Sequence, residues 1–159
     1  MIDWKELPEG YYAVPDPRDG VDEITYWRRK DKGRNKRPSF EAWPLKTHYG
    51  PRLTRKDLPE GMTPRTDEGE AFIRDWYENT GFPYRAAILE AIADDPVAAG
   101  KRFAEWALRC CMCGKVLTSD DSKVYGIGPE CRKGMPKALL DNYFPPQVGK
   151  AHARHLAEA

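Results

Sequence analysis

An α+β fold is what this 159-residue sequence predicts, and three observations carry it. Short β-branched and aromatic runs occupy the first 65 residues. Helical periodicity takes over between Asp67 and Arg109. All four cysteines then fall between positions 110 and 131. The expected architecture is a small N-terminal β region (1–65), a short helical bundle (66–109), a cysteine knuckle (110–134), and a short helix with a tail (135–159).

The β region offers three strands. Gly10-Tyr11-Tyr12-Ala13-Val14 is the first, followed by a turn at Pro15–Gly20, where proline sets φ and glycine accepts φ > 0. Ile24-Thr25-Tyr26-Trp27-Arg28 is the second, β-branched and aromatic. Ser39-Phe40-Glu41-Ala42-Trp43 is the third, with Phe40 and Ala42 on one face and Trp43 on the other. Pro44 ends it or places it at an edge, because proline cannot donate to a ladder.

The helical region offers three helices. Asp67 with Glu70 fits a capping box, and Phe72, Ile73, Trp76 and Tyr77 recur at helical spacing, with Gly81 closing the helix. Pro83 suits the first turn of a second helix, which carries Tyr84, Ile88 and Ile92 on one face. Asp95-Pro96 starts a third, with Val97, Phe103, Ala104, Ala107 and Leu108 as its inner stripe. Trp76 and Trp106 read as core at this spacing, with partner contact as the rival reading. Pro136–Tyr143 and Ala151–Ala159 offer a short helix and a weak helix or frayed tail.

Cys110-Cys111-Met112-Cys113-Gly114-Lys115 is a C-x2-C-G turn, and Gly126-Ile127-Gly128-Pro129-Glu130-Cys131 adds a third cysteine after a second glycine turn. The first residues, Met1–Glu6, lack the apolar stretch of a secretory signal. No run approaches the roughly 20 apolar residues of a membrane span. A reducing cytoplasm is therefore expected, and clustered thiols there read as metal ligands before disulfides. Zinc is the expected ion, since it takes thiolates in a tetrahedron, and the knuckle is expected to be treble-clef-like or ribbon-like. Cys110, Cys113 and Cys131 are the ligands. Val116–Thr118 and Lys123–Tyr125 read as the two arms of a hairpin. Pro129 opens a short helix whose positive end favours the Cys131 thiolate. A repeated C-x2-C would put the fourth ligand at position 134, where glycine stands. The candidates are Asp120, Asp121, His152, His155 and Cys111. Cys111 reads better as a small buried apolar residue.

The run Cys110-x2-Cys113-Gly-Lys-x-Leu117-Thr118, then Ser122, then Gly126-Ile127-Gly128-Pro129-x-Cys131, resembles an uncharacterised cysteine-rich, zinc-finger-like domain of actinobacteria and their phages. Asp95-Pro96-Val97-Ala98-Ala99 is similar to the helix start that often precedes it, so the resemblance covers about 95–134. The sequence departs at Ser119-Asp120, where that family tends to have Asp-Pro. The resemblance implies zinc binding and a phage or mobile-element setting, hence a host cytoplasm. It implies no activity.

Net charge is +1, which excludes strong attraction of the whole molecule to nucleic acid or membrane. The distribution is uneven. Residues 1–65 carry net +3, 66–109 net −4 and 110–159 net +2, so the helical region is a poor nucleic-acid face. Within Arg28–Arg37 stand seven cations, Arg28, Arg29, Lys30, Lys32, Arg34, Lys36 and Arg37, against Asp31 alone. Trp27 and Trp43 flank this run. A basic loop beside aromatics suits single-stranded nucleic acid, through phosphate contacts and base stacking. It equally suits an acidic protein surface or a solvated loop that guards a sheet edge. His48 in a basic loop has no patterned carboxylate partner, and nucleotide-binding and hydrolase motifs are absent. No small-molecule substrate is apparent. The expectation is a zinc-stabilised nucleic-acid-binding accessory protein, with a non-enzymatic protein–protein effector of a host process as the alternative.

Overall fold

A computed structural model describes residues 2–33 and 35–136. Strands β1 (Gly10–Pro15), β2 (Ile24–Lys30) and β3 (Ser39–Ala42) form one antiparallel sheet in that order. Tyr12 stands opposite Trp27, and Trp27 opposite Ala42. The aromatic and β-branched runs of the sequence are these strands, because such side chains pack well on a pleated surface.

Strand alternation divides the core in two. On one face Tyr12, Val14, Trp27 and Phe40 pack with Ile88, Leu89 and Ile92. On the other, Tyr11, Ala13, Tyr26 and Trp43 pack with Phe103 and Ala104 and with the cysteine segment. Phe40 and Ala42 share the first face and Trp43 takes the second, as the alternation requires. The buried hydroxyl of Thr25 is satisfied on both sides. Thr25 Oγ1 donates to the Val14 carbonyl (2.8 Å) and accepts from Trp27 Nε1 (2.7 Å).

The helices run α1 (Asp67–Trp76), a π turn (Tyr77–Gly81), α2 (Phe82–Asp94) and α3 (Pro96–Ala107). Two sequence expectations need correction. The N-cap of α1 is Thr66, whose Oγ1 accepts from Gly69 N, one residue before the expected box. Gly81 does not close the helix. The backbone stays helical from Tyr77 through Phe82, with Phe82 N–H bonding the Tyr77 carbonyl. In a regular helix Pro83 would clash with the carbonyl of residue 79 and remove a bond. The wider π turn just before it takes up that misfit. The stripe Phe72, Ile73, Trp76 and Tyr77 is accordingly peripheral: the first three are half-buried and Tyr77 is 44% exposed.

Helix α3 begins as expected, with Asp95 Oδ1 accepting from Ala98 N and Pro96 in the first turn. It lies along β1, the sheet's edge. Arg102 Nη1 donates to the Ala13 carbonyl (2.8 Å), which covers one of that edge's outward backbone groups. Ala99, Gly100, Phe103 and Ala104 are buried. Trp106, expected inside, is 62% exposed. Two short helices follow, α4 (Asp120–Tyr125) and α5 (Pro129–Arg132). Among the described residues no helix is long and apolar enough to cross a membrane. The helix expected at 136–143 and the tail at 151–159 lie outside the described residues, apart from Pro136.

Candidate metal centre

The cysteine segment is built as a knuckle on the end of α3. Leu108 takes a left-handed conformation (φ 53°) and ends the helix. Arg109 then pairs with Val116 as an antiparallel bridge, and Leu117 N donates to the Leu108 carbonyl (3.0 Å). Inside this loop Cys110 N donates to Lys115 O and Gly114 N to Cys110 O, both at 2.8 Å. Gly114 has φ +77°, and a Cβ there would lie 2.5 Å from Cζ of Tyr11. Both the turn and the ring behind it require glycine. Gly114→Ala is expected to cost about 1–2 kcal/mol for the left-handed backbone alone, and more for displacing the ring. The urea midpoint reports it, and an unchanged midpoint would contradict this account of the knuckle.

The expected hairpin partner at Lys123–Tyr125 is instead part of α4. Ser119 Oγ accepts from Ser122 N, Asp120 and Asp121 occupy the first turn, and Gly126 at φ 73° closes the helix. Those are strong start and stop signals, and they override the strand preference of valine and tyrosine. The chain then turns so that Cys111 N donates to the Gly126 carbonyl (3.1 Å). Arg132 Nη2 donates to Ser122 Oγ (3.0 Å) and its guanidinium lies over the Tyr125 ring. These contacts hold α5, with Cys131 as its third residue, against α4.

The result brings three sulfurs together. The Sγ atoms of Cys110, Cys113 and Cys131 all lie within 4.8 Å of one another, an arrangement that can hold a metal ion. Cys110 is buried and the other two are half-buried. Cys113 N approaches Cys110 Sγ at 3.5 Å, a contact that favours a thiolate. Burial opposes charge on Cys110, but amides of Gly128, Cys113 and Met112 outweigh it and hold its thiol below the ordinary value. Burial and the Cys110 charge push the Cys131 thiol up to about 12. Desolvation and the neighbouring sulfurs thus oppose the help that the α5 N-terminus was expected to give the Cys131 thiolate. Three thiolates this close repel one another, and a cation is what relieves that repulsion.

Cys111 stands outside the group. It is buried in the second core cluster, and burial pushes its thiol up to about 12. Its carbonyl accepts from Tyr11 N (2.7 Å), which covers β1's edge and ties the knuckle to the sheet. Asp120 and Asp121 are exposed on α4. Among the described residues no His, Asp or Glu joins the three sulfurs. His152 and His155 lie outside the described residues.

The basic run is not a single loop. Arg28, Arg29 and Lys30 belong to β2. Arg29 is 4% exposed, donates to the Trp4 and Lys5 carbonyls and pairs with Asp31 at 2.9 Å. Arg28 is paired with Glu41 across to β3. Lys30 Nζ lies over the Tyr11 ring. Lys32, Lys36 and Arg37 are exposed in the β2–β3 connection, and Arg34 lies outside the described residues. Trp27 is 6% exposed and stacked on Phe40 with centroids 5.3 Å apart, so it has no face for a base. Trp43 packs against Phe103, with Arg109 over its ring. Trp27 thus serves the core, and Trp43 is half-buried against it.

A feature that sequence reasoning missed lies beside β3. A cleft of about 660 Å³ is walled by β3 and residues 47–53 on one side and by the π turn and the start of α2 on the other. Aromatic rings and arginines line it, contributed by four separate stretches of chain that include Trp27 of β2, and no local pattern announces such a meeting.

A family of unknown function (DUF6011) matches the chain over residues 100–136. That span runs from the middle of α3 through Cys131, so it contains all three sulfurs. No curated protein and no solved structure shows a significant match to the chain.

Proposed function

We propose that Cys110, Cys113 and Cys131 hold a structural zinc ion, and that the protein binds single-stranded nucleic acid through the cationic tip of its β2–β3 hairpin. The observation that carries the zinc reading is the convergence of three sulfurs from two separate turns. Zinc–thiolate bonds of about 2.3 Å place tetrahedral sulfurs about 3.8 Å apart, inside the 4.8 Å that contains all three. When bound, zinc supplies charge neutralisation and a crosslink between α3, the knuckle and α5. The chain's own residues orient the thiolates and shield Cys110 from water. Among the described residues no His, Asp or Glu supplies the fourth ligand. The resemblance of this segment to cysteine-rich proteins of actinobacteria and their phages supports an accessory role in a mobile genome.

The tip keeps its positive charge because Asp31, the run's only acid, is engaged by Arg29. That leaves Lys32, Lys36 and Arg37 exposed. Phosphate contacts of this kind give salt-dependent binding. Reversing these three charges is expected to weaken binding to a short single strand and to lower the salt slope by about one per residue. Equal binding by variant and parent would reject the tip. Arg28 and Arg29 are unsuitable targets, since they hold the sheet to its neighbours. The second reading, a protein–protein effector, is favoured by the exposure of Trp106.

A further inference from the structure

We propose that the cleft beside β3 is a nucleotide site, in which a base stacks on Phe82 and Tyr77 and its phosphate meets Arg52 and Arg85. This deepens the nucleic-acid reading and rests on it.

The stacking shelf comes from the π turn. Tyr77 and Phe82 are five residues apart. In an α-helix, at about 100° per residue, they would point about 140° away from each other. The π turn's i→i+5 pairing brings them to one side. Their rings lie 5.5 Å apart, tilted by 35°, and Trp76 meets Tyr77 edge-on at 5.0 Å. Phe82 is 57% exposed. Exposed rings in a row are poor core, and they are what a planar base needs.

Both walls supply cations, Arg85 from α2 and Arg52 from the facing stretch 47–53. Arg85 Nη2 donates to the Phe40 carbonyl (3.2 Å) and the guanidinium sits 5.1 Å from the Phe40 centroid, so the group is held in place. Arg52 is exposed at the rim. Among the described residues no carboxylate pairs with either arginine. The lining contains one acid, Glu41, and Arg28 holds its carboxylate. His48, also in the lining, keeps Nε2 3.0 Å from the Pro51 carbonyl. The site thus offers a hydrophobic shelf and fixed positive charge, which select a planar ring bearing an anion. Its volume falls in the range of small-ligand pockets. The cleft and the cationic tip sit on the same strand, since β3 leads from Ser39, just after the tip, to Ala42 in the lining. A strand passing over Lys36 and Arg37 can therefore place a base in the cleft.

Calorimetric titration of the full chain with adenosine 5′-monophosphate, and separately with a short single-stranded oligodeoxyadenylate, tests this. Saturable binding of the mononucleotide is expected, weakened at least about fivefold in Phe82→Ala and restored in Phe82→Tyr. Arg52→Gln is expected to weaken the mononucleotide but not adenosine. Tighter binding of the oligonucleotide, with competition between the two, identifies a strand as the source. Tighter binding of the mononucleotide identifies a free nucleotide, and both results support the cleft. Mononucleotide binding that survives charge reversal at the tip keeps the cleft even if strand binding fails. Absence of mononucleotide binding, or equal binding by parent and Phe82→Ala, would overturn it.

Discussion

Replacing Cys113 with serine is expected to release the metal and to unfold the segment from Leu108 to Arg132. Leu117 and Ile127 anchor the segment in the second core cluster, while the ligand turn and the helix carrying Cys131 meet at the three sulfurs. Structural zinc contributes on the order of 10 kcal/mol to folding of modules of this kind, and no other contact in the segment approaches that. The effect should reach the sheet. Tyr11 N bonds the Cys111 carbonyl and Gly114 packs under the Tyr11 ring, so loosening the knuckle exposes the outer edge of β1. Hydrogen exchange should accelerate at Tyr11, Cys111 and Gly126, and a chelator added to the parent should reproduce the pattern. Cys111→Ala should keep the metal, because its sulfur lies in the core away from the other three. Protection unchanged in a metal-free Cys113→Ser protein would mean that packing alone holds the segment.

Phe103→Ala is expected to lower stability by about 3–5 kcal/mol, the usual loss for a buried aromatic. Phe103 is fully buried, and its ring stands 5.1 Å from those of Tyr11 and Trp43 and 6.1 Å from that of Tyr26. It is where α3, the second sheet face and the cysteine segment meet. Because all three share this ring, the loss should appear as one cooperative transition at lower denaturant, with the near-ultraviolet signal of the aromatic group reduced. A change under about 1 kcal/mol would show that the second core cluster does not couple these parts.

Local chemistry explains what could be read from the chain. The three strands are legible because alternation and aromatic content agree. The start of α3 is legible because Asp95-Pro96 is a cap followed by a first-turn proline. Cys110, Cys113 and Cys131 are legible because turn geometry fixes where each sulfur points. Other features depend on partners far along the chain. Arg29 looks like part of a solvated run until the Trp4 and Lys5 carbonyls, 25 and 24 residues away, accept from it. Gly81 and Pro83 look like a break, yet the π turn carries the helix through them. Lys123-Val124-Tyr125 has strand preference, but the cap at Ser119 and the stop at Gly126 decide for helix. The aromatic cleft was invisible for the same reason as Arg29: its walls come from β2, β3, residues 47–53 and the π turn with the start of α2, which only the fold brings together.

X-ray absorption at the zinc edge of natively purified protein tests the metal centre most directly. The account predicts one zinc per chain, with three sulfur scatterers at about 2.3 Å and one lighter neighbour at about 2.0–2.1 Å. Protein that is folded yet free of zinc, or a site with four sulfurs that draws in Cys111, would contradict it.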